Sequence, residues 1–381
     1  MAVIEMTDER QAFVEAIRDF CKREVGTREQ RDALTDRGRH PHNEGLYRKM
    51  ADLGWLGIAI PEAYGGSGGG LVDMCLFLEE TAKGLAPVGG YGVTSIVAGA
   101  YERFGTEAQK EEVLAGVVDG NVEAIAMSEP EAGSDVGSLK CRAERRNGSY
   151  VLNGQKTWIS EAHLAERILV VCRTDSSGSK HEGLSMISVP RDAPGVEIRP
   201  IETMGGEVVN DVFLTDCEVP AENLLGQENA GWVQLMAGLN VERLILAALM
   251  LGTAQRAFDD LLQYVKERQQ FGRPIGSFQA LRHRIADLAT EIECCRLLTY
   301  DVASNVDRNP GAMFPREASM AKLKVTETAK KVTLEGMQMM GGYGYASEYD
   351  MEYLVRQTLV STIYGGTSEI QREIIGKTLG L

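Results

Sequence analysis

The sequence lacks the patterns that announce a hydrolase, a metalloenzyme or a membrane protein. Its five histidines, His40, His42, His163, His181 and His283, contain no HExxH pair, and no GxSxG frames a serine, which sets aside zinc-dependent and serine-nucleophile hydrolysis. No metal site is expected. There is no Walker A loop, and Gly342-Tyr343-Gly344, the nearest approach to a dinucleotide fingerprint, follows a helical pattern and lacks the third glycine. The seven cysteines, Cys21, Cys75, Cys141, Cys172, Cys217, Cys294 and Cys295, are scattered, odd in number and free of CxxC spacing. That usage fits a reducing cytoplasm, not a disulfide or zinc framework. No uninterrupted apolar run reaches about 18 residues, and MAVIEMTDER has no basic patch leading into an apolar stretch, so neither a membrane span nor a secretory leader is expected. Positive charge is also short. Lys and Arg total 40 against 55 Asp and Glu, a formal net charge of -15, which argues against nucleic acid or an anionic membrane as a partner.

What remains is an ordinary globular composition, 44% hydrophobic and 25% charged over 381 residues, enough for two or three domains and a large core. Thr7 followed by Asp8 and Glu9 predicts a helix start, with Phe13, Ile17, Phe20 and Cys21 along one face. Further helices are expected near 44–54, 71–86 and 107–118. The glycine-rich stretch 60–70 between them reads as a plain loop, and His40 and His42, flanking Pro41, read as surface residues. From about residue 121 the pattern turns to short strands: SYVLNGQKTWIS, RILVVCRT, LSMISVP, VEIRP and DVFLTD. Asn147-Gly148 and Asn153-Gly154 each carry a hairpin signal. After the GQENAG loop at 226–231, long helical patterns cover 231–268, 278–307 and 315–341, with a short one at 367–378 capped by Thr367 or Ser368. The expected fold class is α+β: an N-terminal α-helical domain (1–120), a middle antiparallel β-barrel domain (121–225) and a C-terminal four-helix-bundle domain (226–381).

Within the first long helix, GLNVERLIL places Glu242 on the face shared by Leu235, Gly238, Leu239, Ile245, Leu246 and Leu249. An acid there points inward. Burial raises a carboxyl toward roughly 6–7 when nothing cationic compensates, which suits general-base work. Arg243 cannot face it, since adjacent helical residues point about 100° apart. Two readings are open on this stretch alone: a base, or a structural acid paired with an Arg of another helix.

Several further stretches occur in one order along the chain: IPEAYGG near residue 60, AIAMSEPEAGSDVGSLK at 124–140, NGQKTWIS at 153–160, RQQFGRPIGSFQ at 268–279, MQMMGGYGY at 337–345 and YGGTSEIQR at 364–372. Together they resemble the acyl-CoA dehydrogenase family of flavoproteins over essentially the whole chain. The resemblance implies FAD held between subunits. It gives Met127 and Ser128 hydrogen bonds to the pyrimidine end of the flavin, Trp158 a place over the ring and Ser160 a bond near N5. The family commonly has Thr at the last two serine positions, and the hydroxyl is retained. Arg268, Phe271 and Gln279, with Gln338, Gly341 and Gly342, are implied to meet pyrophosphate and adenine from a neighbouring subunit. Thr367 and Glu369 fall where the family contacts the adenosine side, with helix-terminal N–H groups available to phosphate. Ser134, Asn240, Arg243, Tyr364, Gly365 and Gly366 match the acyl-CoA path.

One departure matters. Many members carry their catalytic glutamate directly after the tyrosine, as YEGTS, whereas this chain reads Tyr364-Gly365-Gly366-Thr367. In the isovaleryl-CoA and long-chain branches the base comes from the long helix, in a setting that Asn240-Val241-Glu242-Arg243-Leu244 resembles. The implied reaction is removal of the α-proton of an acyl-CoA thioester by Glu242 while the β-hydride passes to flavin N5, giving a trans-2-enoyl-CoA. The backbone N–H of residue 365 and a flavin ribityl hydroxyl would polarise the thioester carbonyl. Alternatives are an enoyl-CoA reductase running in reverse and a catalytically silent FAD-binding subunit. The resemblance further implies a homotetramer and an electron-transferring flavoprotein as oxidant.

Overall fold

Thr7 begins the first helix as its sequence context predicts: its Oγ1 accepts from the Arg10 N–H at 3.2 Å, and α1 spans Asp8–Val25 with Val14, Ile17, Phe20 and Cys21 buried. The computed structural model describes residues 4–381. Helices α2 (Arg28–Thr35), α3 (Glu44–Asp52), α4 (Leu71–Lys83), α5 (Gly90–Phe104) and α6 (Glu107–Val118) follow. The sequence reading did not anticipate α2 or α5. Helix α5, GYGVTSIVAGAYERF, is rich in glycine and β-branched residues and so carries little helix propensity. Burial of Val97, Ala98 and Tyr101 decides it instead.

Strands β1 (Glu123–Ala126), β2 (Arg142–Arg146), β3 (Ser149–Ser160), β4 (Arg167–Arg173), β5 (Leu184–Pro190), β6 (Val196–Thr203), β7 (Gly206–Pro220) and β8 (Leu224–Leu225) form one eight-stranded sheet in the order β6-β7-β3-β2-β4-β5-β8, with β1 on β4. Most pairs are antiparallel; β1 and the start of β2 run parallel to β4. Asn147 (φ 49°) and Gly148 (φ 87°) join β2 to β3 with both residues left-handed, as a two-residue hairpin requires.

The second hairpin signal is corrected. Asn153-Gly154 lies inside the continuous strand β3, at a register shift against β7. The Asn153 Oδ1 accepts from the Asp216 N–H at 2.9 Å, so the pair lies opposite a bulge whose extra residue is on β7 and makes no turn. Gly154 (φ 153°) passes close to the β2 side, where an added Cβ would sit 2.7 Å from the Cys141 Cα.

Helices α5 and α6 cover the outer side of β4 and β5: Val97, Tyr101, Val113, Leu114 and Val117 pack with Leu169, Val171, Leu184 and Met186. The opposite side packs on Leu152, Val212, Leu214 and Val219. Both faces of these strands are therefore dry, which is why RILVVCR reads as an unbroken apolar run. His42 is a second correction. It is buried, its Nδ1 accepts from the Gly90 N–H at 3.1 Å, and burial pulls its imidazole down to about 4.

The C-terminal part begins with α7 (Gly231–Glu267), followed by the short strands β9 (Gln269–Gln270) and β10 (Arg273–Pro274), then α8 (Gln279–Arg308), α9 (Pro315–Met340), α10 (Gly342–Tyr345), α11 (Met351–Leu359) and α12 (Ser368–Thr378). Thr367 caps α12, its Oγ1 accepting from the Ile370 N–H. Helix α7 is, among the described residues, long and apolar enough to cross a membrane, and 61% of that apolar window is buried inside the chain, the burial of a core helix.

Chain contacts divide the described residues into two units, which do not follow sequence order. One holds residues 35–69 and 87–239; the other holds 1–34, 70–86 and 240–381. In the latter, Asp307 at the end of α8 caps α4 by accepting from the Leu71 and Val72 N–H groups, and Glu79 of α4 meets Arg296 and the Tyr300 hydroxyl of α8. These polar contacts attach α4 to the late bundle, and α1 joins α4 through the Arg10–Asp73 and Arg18–Glu80 pairs.

Candidate active site

Glu242 lies on the inward face of α7 and is 8% exposed. Loss of water raises its carboxyl above the usual range, while the cations Arg243 and Lys322 pull it back. No described residue forms a hydrogen bond or ion pair with it. Among the described residues, no Arg of another helix forms the salt bridge of the structural alternative. Arg243, also buried, turns its guanidinium to the Asn240 Oδ1 at 3.2 Å, and burial lowers its pKa.

The missing acid at residue 365 and the extra acid at 242 are brought together. Gly365 has φ 57°, and a Cβ built on it would lie 3.6 Å from the Glu242 Oε1 and 2.1 Å from the Leu246 Cδ1. A side chain at 365 would run into Leu246, and the helix-borne carboxylate lies beside the same point. The Gly366 carbonyl accepts from the Lys322 Nζ at 2.8 Å and from the Gln371 Nε2 at 3.1 Å, and the Gly365 carbonyl accepts from the same Gln371 amide at 3.0 Å. Tyr364 lies against Lys322, whose Nζ is 5.9 Å from the ring centroid. Asn240, Arg243, Tyr364, Gly365 and Gly366 thus gather about Glu242.

Lys322 and Gln371 were missed by sequence reasoning. The signal existed for Lys322: Ala318, Ser319, Ala321 and Val325 around it on α9 are all buried, so a charge in that register is as anomalous as Glu242 on α7.

The flavin-side residues belong to the β-containing unit. The Ser128 carbonyl accepts from the Thr157 N–H at 3.0 Å, and the Met127 carbonyl accepts from the Lys156 Nζ at 3.0 Å. Lys156, fully buried, also pairs with Glu129 at 2.8 Å. This ties the end of β1 to β3. Between Lys156 and Ile159 the β3–β7 register slips by one residue, Trp158 takes φ 62°, and its indole is 59% exposed between buried Thr157 and Ile159. A bulge that costs backbone strain to present an aromatic face to solvent has the form of a platform for a planar ligand. Ser160, half-buried, ends the strand, and Ser134 stands exposed on the loop after β1.

In the helical unit a cavity of about 600 Å³ is lined by Tyr264, Arg268, Phe271, Phe278, Gly341, Gly342 and Tyr343. Phe271 is 93% exposed, and a Cβ added at Gly341 or Gly342 would meet nothing within 4 Å. A cationic guanidinium among exposed rings, beside backbone open to close approach, fits a nucleotide bearing phosphate. Gln279 and Gln338 are exposed outside that lining. At the start of α12 the Thr367 hydroxyl and the Glu369 carboxylate satisfy first-turn N–H groups, which holds Glu369 below its usual range. Among the described residues no group of His, Cys, Asp and Glu could hold a metal ion.

Helices, then a β sheet, then a helical domain carrying an unpaired buried carboxylate are the layout of the acyl-CoA dehydrogenases, oxidoreductases acting on CH–CH bonds, to which the chain's matches lead. Family models for the acyl-CoA dehydrogenase N-terminal, middle and C-terminal domains match residues 7–121, 124–217 and 229–380, and the chain belongs to that family. It is 36% identical to the mitochondrial isovaleryl-CoA dehydrogenase of Solanum tuberosum, covering 98% of this chain and 90% of that one. It is 38% identical to the caffeyl-CoA reductase-Etf complex subunit CarC of Acetobacterium woodii, covering 95% and 96%. The solved acyl-CoA dehydrogenase of Geobacillus kaustophilus superposes with a TM-score of 0.93 at 35% identity, covering 98% and 99%, and a chain solved as the FAD complex of PigA with 0.92 at 27%, covering all of both.

Proposed function

We propose that the chain dehydrogenates an acyl-CoA thioester to the trans-2-enoyl-CoA, with Glu242 as the base that takes the α-proton. The observation that carries this reading is the 3.6 Å between the Glu242 Oε1 and the place a side chain at 365 would start. The carboxylate borders the position from which other family members present theirs. Burial raises the carboxyl, so its conjugate base is strong enough to matter near neutral pH. The Gly365 N–H is the donor assigned to the thioester carbonyl, where negative charge develops as the proton leaves.

FAD, when bound, accepts the β-hydride and hands the electrons to an external acceptor. Met127, Ser128, Trp158 and Ser160 are assigned to its flavin end. Arg268, Phe271, Gln279, Gln338, Gly341, Gly342, Thr367 and Glu369 are assigned to the pyrophosphate and adenosine of a neighbouring copy. Ser134, Asn240, Arg243, Tyr364, Gly365 and Gly366 are assigned to the acyl-CoA. The exposure of Phe271 and Tyr345 supports a homotetramer in which a second copy covers them. An electron-transferring flavoprotein is the proposed acceptor and the cytoplasm the proposed compartment. The lack of a side chain at residue 365, where Leu246 is the bordering side chain, supports a branched acyl group.

A second reading, reduction of an enoyl-CoA, is favoured by the likeness to a caffeyl-CoA reductase subunit. Anaerobic mixing separates the two. Bleaching of the oxidised enzyme by isovaleryl-CoA or butyryl-CoA supports dehydrogenation. Failure to bleach, with reoxidation of the reduced enzyme by enoyl-CoA, supports the reductase. Activity of the chain expressed alone excludes a silent subunit.

A further inference from the structure

A lysine buried without a carboxylate partner is expensive, because desolvation of the ammonium costs several kcal/mol that a neutral acceptor recovers only in part. Lys322 is such a residue: it is 0% exposed on α9, and no described carboxylate forms an ion pair with it. Its Nζ instead donates to the Gly366 carbonyl at 2.8 Å, beneath the Tyr364 ring. The charged groups that act on it are Glu242 and Arg243 from α7, Glu327 from its own helix and Glu369 from α12, with Glu242 the largest of these.

We propose that Lys322 is a positioning residue for the proton abstraction assigned to Glu242: its ammonium holds the Gly365–Gly366 turn and supplies the opposite charge against which the Glu242 carboxylate forms. The inference rests on Glu242 being the base. Geometry supports the first half. Lys322 and Gln371 together hold both turn carbonyls, which fixes the planes of the two peptides that follow Gly365 and Gly366. The turn that follows the Gly365 N–H is thereby anchored on its carbonyl side. Electrostatics supports the second half. Burial drives the Glu242 carboxyl up and Lys322 pulls it down; reciprocally, burial lowers Lys322 to about 8 while Glu242 raises it. The two act on each other as a coupled pair, the cation favouring the charged form of the base.

The test uses the FAD-loaded enzyme and Lys322→Met, Lys322→Gln and Lys322→Arg. Flavin reduction by isovaleryl-CoA is followed from acid to alkaline pH, and the carboxylic-acid infrared band assigned to Glu242 by its loss in Glu242→Gln is titrated without substrate. In Lys322→Met the acid limb and the infrared midpoint move up together by roughly one pH unit, the size of losing one close opposite charge. The maximal rate falls while KM stays within a few-fold, and Lys322→Arg returns the limb toward wild type. If Lys322→Met fails to fold, Lys322→Gln, uncharged but polar, is read in the same way. A wild-type limb and midpoint in a folded uncharged variant overturn the proposal. Glu242→Gln separates the two levels: if that variant still reduces its flavin, the base assignment fails whatever Lys322 does.

Discussion

Replacing Glu242 by Gln changes one atom in the side chain and removes its capacity to accept a proton. The amide fills the same volume on α7, so no cavity opens and Leu246 keeps its place beside Gly365. The three heavy atoms nearest a Cβ at Gly365 belong to Leu246 and Glu242, and Glu242 supplies the carboxylate among them. Loss of a positioned general base is worth about 10²–10⁴ in rate, or about 3–5 kcal/mol of barrier. The expected outcome in anaerobic stopped flow with isovaleryl-CoA or butyryl-CoA is flavin reduction slowed by about that factor, with FAD content unchanged. Thioester binding, read from the shift of the flavin absorbance, stays within a few-fold. Stability supplies an internal control with a defined sign. Burial raises the Glu242 carboxyl in the folded state, so its contribution is present in full below the unfolded value and is lost as pH rises through the folded one. Wild type therefore loses stability with rising pH through that window, and Glu242→Gln flattens this part of the profile. Reduction at a rate within a few-fold of wild type would refute the reasoning.

Gly365→Ala puts a Cβ 2.1 Å from the Leu246 Cδ1 at φ 57°, and left-handed backbone at a non-glycine costs about 1–2 kcal/mol; thermal unfolding should show the loss, and turnover of branched thioesters should fall more than that of straight ones. Arg268→Ala removes the cation from the cavity, and losing a charge-assisted contact of about 1.5–3 kcal/mol should weaken FAD retention roughly 10- to 100-fold, read from the flavin-to-protein absorbance ratio after dilution. Glu161 is 1% exposed, its Oε1 has no partner, and burial pushes it up to about 8. Its stabilising effect is present below the unfolded value near 4.5 and lost as pH rises to about 8, at up to roughly 1.4 kcal/mol per pH unit. Glu161→Gln should therefore gain stability over wild type as pH rises across that interval, with a denaturation series at three pH values as the check.

Elements whose own periodicity decided them were legible in the sequence: α1 with its Thr7 cap, α7, α8, α9, and α12 with Thr367 all start within a residue or two of where caps and apolar faces put them. Elements decided by what packs against them were not. Helix α5 is helical because β4 and β5 bury it, and Asn153-Gly154 stays within a strand because it pairs with a bulge at Asp216 on β7, a partner about sixty residues away along the chain. The active site divides along the same line. Glu242 announced itself because an acid in an apolar register has a physical cost visible from its neighbours at three and four residues' spacing. Its relation to Gly365 depends on α7 lying against the loop before α12, which no local pattern encodes, and the same holds for the Lys322 ammonium beneath Gly366. Each of the three positions is anomalous on its own: an acid and a base inside apolar helices, and a pair of glycines where many relatives carry a carboxylate. Taken together the anomalies compensate one another. The glycine makes room for Leu246 beside the acid, and the lysine holds the glycine turn and moderates the acid.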